Sequence, residues 1–420
     1  MQVYANVLLW VVPFFLIMII LEIAYGHFTR KQTYTFMDTL SSLSSGMTNI
    51  LKDILGLGVI IVSYPFLVEN LSLFSLENEL WLYATAFICI DFASYWSHRL
   101  NHKINFFWNQ HVIHHSSEEF NLACALRQSI SDLLGYTALF LIPAAVIGVP
   151  HEVITILAPL HLFGQFWYHT QHIGKLGILE YLLVTPSQHR VHHAINPIYI
   201  DKNLSAIFCI WDRWFGTFQE ELDEEPPVYG VLKPVQTWNP LIINFQHLWS
   251  LMCDAWHTRS WIEKLTLWWK PTGYRPKDVA DKYPKKIIDP SLPQEKYNPE
   301  TSYLKKIWAL IQWLSITVIL LYFLANFEFF STSQSLLIGT IVLLSIFGYT
   351  ALMDGYNWSY DFEMGRNIIG LLFFILPNQI DFYYSTLPGL FYFGVFYFSM
   401  NTITLQFLDL NKETRFLNEK

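Results

Sequence analysis

The sequence predicts an all-α fold: a multi-pass membrane bundle of helices with a polar cap on one side. Three observations carry this. Of 420 residues, 53% are hydrophobic and only 14% are charged, against about 25% charged in soluble domains. Apolar runs of spanning length lie at both ends of the chain, with a long polar stretch between them. Histidines recur at helical spacing where the apolar run near residue 90 ends. The formal net charge of −8, without a long basic run, excludes nucleic acid as a partner. Cys89, Cys124, Cys209 and Cys253 form no C-x-x-C pair, so they imply neither a disulfide framework nor a thiolate zinc site.

Residues 1–21 carry no charge and are followed by Glu22, Arg30 and Lys31. A basic leader and a small-residue cleavage site are missing, so Val7–Ala24 reads as a retained transmembrane helix. A second span is expected within Ile50–Val68 and a third over Leu80–Trp96. Arg30 and Lys31 follow the first span and Arg99 and Lys103 follow the third, whereas the loop after the second holds Glu69, Glu77 and Glu79. The positive-inside rule then places the histidines on the cytoplasmic face. Ile130–Trp167, broken at Gly148-Val149-Pro150, reads as a helical hairpin, either two spans or a re-entrant pair. Gly174–Pro299 is polar and forms the expected cytoplasmic cap, with Glu220–Glu225 as a solvated loop and Pro271–Pro299 as a linker. Leu304–Leu324, Ser335–Leu352, Ile368–Asn378 and Leu387–Leu405 give three or four more spans, interrupted at Asp354, Glu363, Arg366 and Asp381. The expected division is N-terminal transmembrane helices over 1–75, a histidine core with its cap over 76–300, and C-terminal transmembrane helices over 301–420.

The histidines carry the chemistry. His98 and His102 are one helical turn apart, about 6 Å along the axis, so both rings reach one point. His111, His114 and His115 repeat the idea at i, i+3, i+4, and His189, His192 and His193 repeat it again. Neutral imidazole is the usual ligand of mid-series transition metals. Eight rings exceed what one copper, one haem or a structural zinc requires and suit a di-metal site with open positions. Imidazole-bound iron with open positions supports oxygen activation. His27, His151, His247 and His257 read as core or interfacial residues. A metal transporter or sensor is the non-enzymatic alternative, but transporters place ligands along a path through the membrane, and these cluster at span ends. Asp91 shares a helical stripe with Tyr95, His98 and His102 and is a candidate acid organising a substrate pocket. Among Asp201, Asn203, Asp212 and Arg213, one is expected to hold a ligand's other ring nitrogen.

The three boxes, in this order and spacing, resemble the membrane fatty acid hydroxylase/sterol desaturase superfamily. DFASYWSHR (Asp91–Arg99), HHSSEEFNLACALRQS (His114–Ser129), QFWYHT (Gln165–Thr170), TPSQHRVHHAINPIYIDKN (Thr185–Asn203) and IWDRWFGTF (Ile210–Phe218) are similar to its alkylglycerol monooxygenase branch. So are Asn239–Leu251 and the hydrophobic C-terminal section. The resemblance implies a non-haem centre of two iron ions held by the eight box histidines, with His169 as a ninth ligand and His161 or His172 as alternatives to it. It implies O2-dependent hydroxylation of the ether-linked carbon of an alkylglycerol taken from the bilayer. The products would be a fatty aldehyde and a glycerol derivative, with tetrahydrobiopterin as the soluble reductant. One residue departs from the pattern: ether-cleaving members carry a glutamate where this chain has Lys103. That favours the competing reading, a sterol, fatty acid or sphingolipid hydroxylase or desaturase served by another donor.

Overall fold

The charge-free run at the start of the chain is helical. In the computed structural model, which describes residues 2–418 apart from 58, 61, 77 and 133, it forms α1 (Gln2–Thr29). Trp10 is 82% exposed, and Phe14, Ile17, Ile20 and Leu21 are exposed beside it, a surface suited to lipid rather than water.

The expected second span is not a single helix. α2 (Phe36–Ile54) stops short of the apolar run, Gly56 follows with φ +62, and α3 (Tyr64–Leu71) restarts on a Ser63 cap with Pro65 in its first turn. Glycine past a helix end and proline at a helix start punctuate the chain in this way. α2 buries Ser41, Ser42, Ser44 and Ser45, so it packs inside the protein. Val59–Ile60 pair in parallel with Leu134–Gly135, the only two-stranded piece among the described residues.

α4 (Glu79–Lys103) covers the expected third span and continues far enough to carry His98 and His102. Its composition does not place it among the helices apolar enough to span. It ends at Ile104, whose extended backbone bridges to Pro271, while Asn105 N donates to Lys270 O. The helical continuation expected through the second histidine box is therefore replaced by two single turns, α5 (Asn105–Trp108) and α6 (Val112–His115).

The expected hairpin contains α7 (Ile142–Ile147) and α8 (His151–Phe163), in apolar runs over Thr137–Ile147 and His151–Phe163. At 1.5 Å per residue neither covers the roughly 30 Å of a hydrocarbon core, so the pair is of re-entrant length. Gly148 between them has φ +84, and a Cβ there would lie 1.9 Å from Phe74 O. The polar section then holds α9 (Pro186–His192), α10 (Ile210–Trp214), α11 (Pro240–His257), α12 (Trp261–Thr266) and α13 (Lys277–Lys282). Within it Glu220–Glu225 is more than a solvated loop: Glu221 pairs with Arg190 at 2.7 Å and Glu225 accepts from Asn196 at 3.0 Å.

The last section holds α14 (Tyr303–Ala325), α15 (Thr332–Met353), α16 (Ser359–Ile375), α17 (Pro377–Thr386) and α18 (Pro388–Asn418). Glu363 and Arg366 do not interrupt a span. They form an i,i+3 ion pair at 2.6 Å inside α16, and Arg366 also donates to Ser345 on α15. The break comes later, where the chain bends by 73° between α16 and α17. Among the described residues α1, α14 and α15 are long and apolar enough to cross a membrane, and the bent α16–α17 pair would make a fourth. The largest core cluster joins α1 and α2 to α14, α15, α16 and α18, so the two ends of the chain close into one bundle.

Candidate metal centre

The nine histidines singled out from the sequence converge, in two groups. His98, His102, His111, His115 and His192 form one, and His114, His169, His189 and His193 form the other. Within each group the ligand atoms lie within 4.8 Å of one another. The division cuts across the boxes. Adjacent residues on a helical turn are rotated by about 100°, so His114 and His115 on α6 face different groups. At α9, His189 and His193 share one face while His192 turns to the other group.

The rings point their Nε2 atoms inward. Nε2 of His111 lies 2.8 Å from that of His98 and 3.1 Å from that of His115. In the second group the corresponding separations are 2.8 Å for His189–His169 and 3.1 Å for both His193–His189 and His193–His114. The outer nitrogens of four rings face carbonyl oxygens, which only accept, so those nitrogens carry the protons. Nδ1–H donates to Leu204 O from His98, to Arg127 O from His114, to Gln165 O from His169 and to Lys202 O from His192. The inward Nε2 atoms of these four rings are thus bare lone pairs, and those of His114 and His169 meet at 3.4 Å with no proton between them, which is repulsive unless a cation lies beside them. Metal–imidazole bonds of roughly 2.0–2.1 Å at right angles put neighbouring donors about 3.0 Å apart, the spacing seen here. Nε2 of His102 and of His192 are buried with no partner. The donor set therefore fits a pair of imidazole-bound metal ions such as iron. Burial also keeps the rings neutral: it pushes His114 and His169 down to about 3 and His193 well below the ordinary value.

A polar frame aims these rings. Asp201 and Asn203 have left-handed backbones, φ +58 and +51, which turn the Lys202 and Leu204 carbonyls toward His192 and His98. Asp201 itself lies 3.4 Å from His102 Nδ1, the carboxylate contact expected for one residue of that stretch. Asp212 acts one step further out, accepting from Leu204 N, Ser205 N and Thr217 Oγ1 at 2.7–2.9 Å. Asn203 cross-links Gln188 O to the backbone of Gln219. Arg213 stacks over the Phe218 ring, 3.7 Å from its centroid, and touches no ligand.

Asp91 is fully buried and lines neither of the two cavities beside the histidines. Its carboxylate accepts from His161 Nε2, Ile207 N, Phe208 N and Trp211 Nε1 at 2.7–3.0 Å, so it is scaffold. The same contact removes His161 from the ligand set, and His172 packs against Tyr25, outside both groups. His169 lies in the turn after α8 and not on a helix. Lys103 is half-exposed, pairs with Asp201 Oδ2 at 2.7 Å and lines neither of the two cavities beside the histidines.

Three supports were missed from the sequence. Arg127 is 1% exposed and donates to Asp38, Ser42 and Ser116 while its carbonyl holds His114. Its partner Asp38 also accepts from Ser117 at 2.8 Å. Glu22 on α1 accepts from Leu122 N at 2.8 Å and from the hydroxyls of Tyr34 and Thr170, fixing the turn that carries His169. A carboxyl inside an apolar helix was the available signal for Glu22.

The two groups form a wall between two cavities. One, of about 470 Å³, is lined by His98, His111, His114, His169 and His189 and extends between Leu8, Val12 and Phe15 of α1, Met47 and Ile50 of α2, and Trp313, Leu320 and Leu321 of α14. The other, of about 250 Å³, is lined by His102, His115, His192 and His193 and by residues of the polar section.

The fatty acid hydroxylase family matches residues 83–217, which contain all nine histidines. Alkylglycerol monooxygenase of Homo sapiens is 34% identical over 302 residues, 71% of this chain and 67% of that protein. The Danio rerio alkylglycerol monooxygenase is 32% identical over 370 residues, 86% of this chain and 80% of its own length. The chain belongs to the alkylglycerol monooxygenase family. An ornithine lipid hydroxylase of Rhizobium tropici is 29% identical over 131 residues, 31% of this chain and 40% of that protein. No solved structure matches. Like other alkylglycerol monooxygenase relatives, this is an oxidoreductase of the membrane lipid hydroxylase and monooxygenase class, built on apolar helices.

Proposed function

We propose that the protein cleaves the ether bond of alkylglycerols by hydroxylating the ether-linked alkyl carbon, giving a hemiacetal that collapses to a fatty aldehyde and a glycerol derivative. The observation that carries this reading is the larger cavity, which joins the histidine wall to the gap between α1, α2 and α14. Leu8, Val12, Phe15, Met47 and Leu321 cover an alkyl chain and exclude water from it. Asn49, Lys52, Asp53, Gln128 and Asp132 line the same space and offer partners for glycerol hydroxyls. The nine histidines hold two iron ions, which supply oxygen activation when bound. The protein's own contribution is to keep these imidazoles neutral, to orient them through Leu204, Arg127, Gln165 and Lys202, and to hold the substrate carbon beside them. Tetrahydrobiopterin is the electron donor in this reading, and the wall lies at the cytoplasmic end of the helices.

The experiment is incubation of the iron-loaded protein in lipid nanodiscs with a 1-O-alkylglycerol, O2 and tetrahydrobiopterin, followed by assay of fatty aldehyde. Aldehyde in proportion to O2 consumed is expected. Turnover of a sterol or fatty acid without aldehyde from the ether would establish the competing hydroxylase reading, and fewer than two irons per chain would refute the di-iron assignment.

A further inference from the structure

The smaller cavity has no part in the reading so far. It lies on the opposite face of the histidine wall and shares no lining residue with the larger one. Its far side is built from α11, through Gln246, Ser250 and Asp254, and from Lys233, Arg275 and Lys285. The charges at that end do not balance. Asp254 accepts from Arg275 at 2.7 and 2.9 Å and lies 3.4 Å from Lys285 Nζ, so one carboxylate serves two cations. Lys233 and Lys285 converge on the same Ser250 hydroxyl. Burial, and then the charge of Lys285, push the Lys233 ammonium down to about 7. Gln246 has a buried amide oxygen with no partner. The flat rings of Trp108 and Tyr274 and the aliphatic side chains of Val112, Ile195, Ile200 and Leu251 line the rest of it.

We propose that this basic cavity binds the soluble two-electron donor, a small flat molecule presenting an acceptor edge (carbonyl, enolate or carboxylate) to Lys233 and Lys285 and an N–H or O–H to Gln246. The proposal rests on the monooxygenase reading. That reaction inserts one atom of O2 into a C–H bond and releases the other as water. The donor gives up two electrons and two protons and leaves oxidised. The far side of this cavity carries three cationic side chains against the one carboxylate of Asp254, whereas in the larger cavity Lys52 lies 3.4 Å from Asp53 and Asp132 adds a second carboxylate. In the smaller cavity a donor touches the imidazoles of His102, His115, His192 and His193 directly, so electrons need cross only ligand rings. A few convergent polar groups in a small concave site are what fix orientation in such pockets.

The test uses the full chain, metal-loaded in nanodiscs, titrated calorimetrically with tetrahydrobiopterin (uncharged) and with ascorbate (anionic). Lys233→Ala and Lys285→Ala are expected to weaken donor binding roughly ten- to hundredfold, the loss of one charge-assisted hydrogen bond. They are expected to raise the KM for the donor while the KM for the lipid holds. Lys233→Arg is expected to restore binding, and metal content and thermal midpoint report that each variant is folded. Leu321→Trp, in the other cavity, should leave donor binding unchanged. Wild-type donor binding in both lysine variants, or loss of donor binding in Leu321→Trp, overturns the assignment even if ether cleavage is found. Lysine-dependent donor binding in a protein that turns over no lipid supports the site and refutes the monooxygenase reading instead.

Discussion

Replacing Asp91 by asparagine separates a scaffold from a substrate pocket. The carboxylate is fully buried and receives four donors. In its best orientation an asparagine places its NH2 on the Oδ1 side. There His161 adapts by switching tautomer, but the Ile207 N–H is left facing another donor. One orphaned buried donor costs ~1–3 kcal/mol, and the remaining three bonds lose their charge assistance at ~1 kcal/mol each, so Asp91→Asn is destabilising by ~4–6 kcal/mol. For a chain of this size that lowers the thermal midpoint by roughly 5–7 °C. The loop it holds runs from Ile207 to Trp211, between Leu204, which orients His98, and Asp212, which holds Leu204. Metal content should therefore fall too, while the KM for the lipid in surviving protein stays the same. The assay is tryptophan-fluorescence melting in nanodiscs, with iron analysis and lipid kinetics on the same samples. An unchanged midpoint with a raised lipid KM would refute the scaffold assignment and return Asp91 to the substrate.

Leu321→Trp fills the larger cavity beside α14. Lipid turnover should drop by roughly 100-fold, the penalty for misplacing reacting atoms by about 1 Å, with iron content unchanged; undiminished turnover would show that the substrate uses another route. Because burial holds His114 and His169 at about 3, the unfolded chain takes up protons below the ordinary value of 6.5 and the folded chain does not. Stability of the metal-free protein is thus level above about pH 6.5 and falls as pH drops from there toward 3; a midpoint that rises between pH 7 and 5 contradicts this. Lys103→Ala removes a half-exposed ion pair with Asp201, worth at most ~1 kcal/mol. Iron content and aldehyde yield should survive it, and loss of one iron per chain would show that Lys103 governs the centre.

Histidine spacing identified eight of the nine converging rings, because i,i+3,i+4 periodicity survives whether the helix is long or a single turn; His169 came from the resemblance at QFWYHT. Spacing could not say which rings share a group, since that depends on how α6 and α9 are rotated against each other. The end of α4 at Ile104 was hidden because its cause, the bridge to Pro271, lies far along the chain. The false second span came from counting apolar residues across Gly56 and Pro65, punctuation that was legible but was outweighed by hydrophobicity. The partners of Asp91 were out of reach for a different reason. Burial of a carboxylate can be guessed from an apolar context, but the backbone N–H groups that occupy it come from a loop some 116 residues later.

Glu22 ties the protein's biogenesis to its metal chemistry. During synthesis α1 enters the membrane with a carboxyl group that the Tyr34 hydroxyl, 12 residues on, meets early at Oε2, while the partner of Oε1, the Thr170 hydroxyl, lies 148 residues downstream. At ~5–20 residues per second of translation, Oε1 waits on the order of 7–30 s in an environment where an unmet acceptor is costly. When Thr170 arrives, the same contact sets the turn bearing His169. The nascent chain thus relieves its one intramembrane liability in α1 at the moment the second histidine group becomes able to assemble, and an α1 that fails to insert leaves that turn without its anchor.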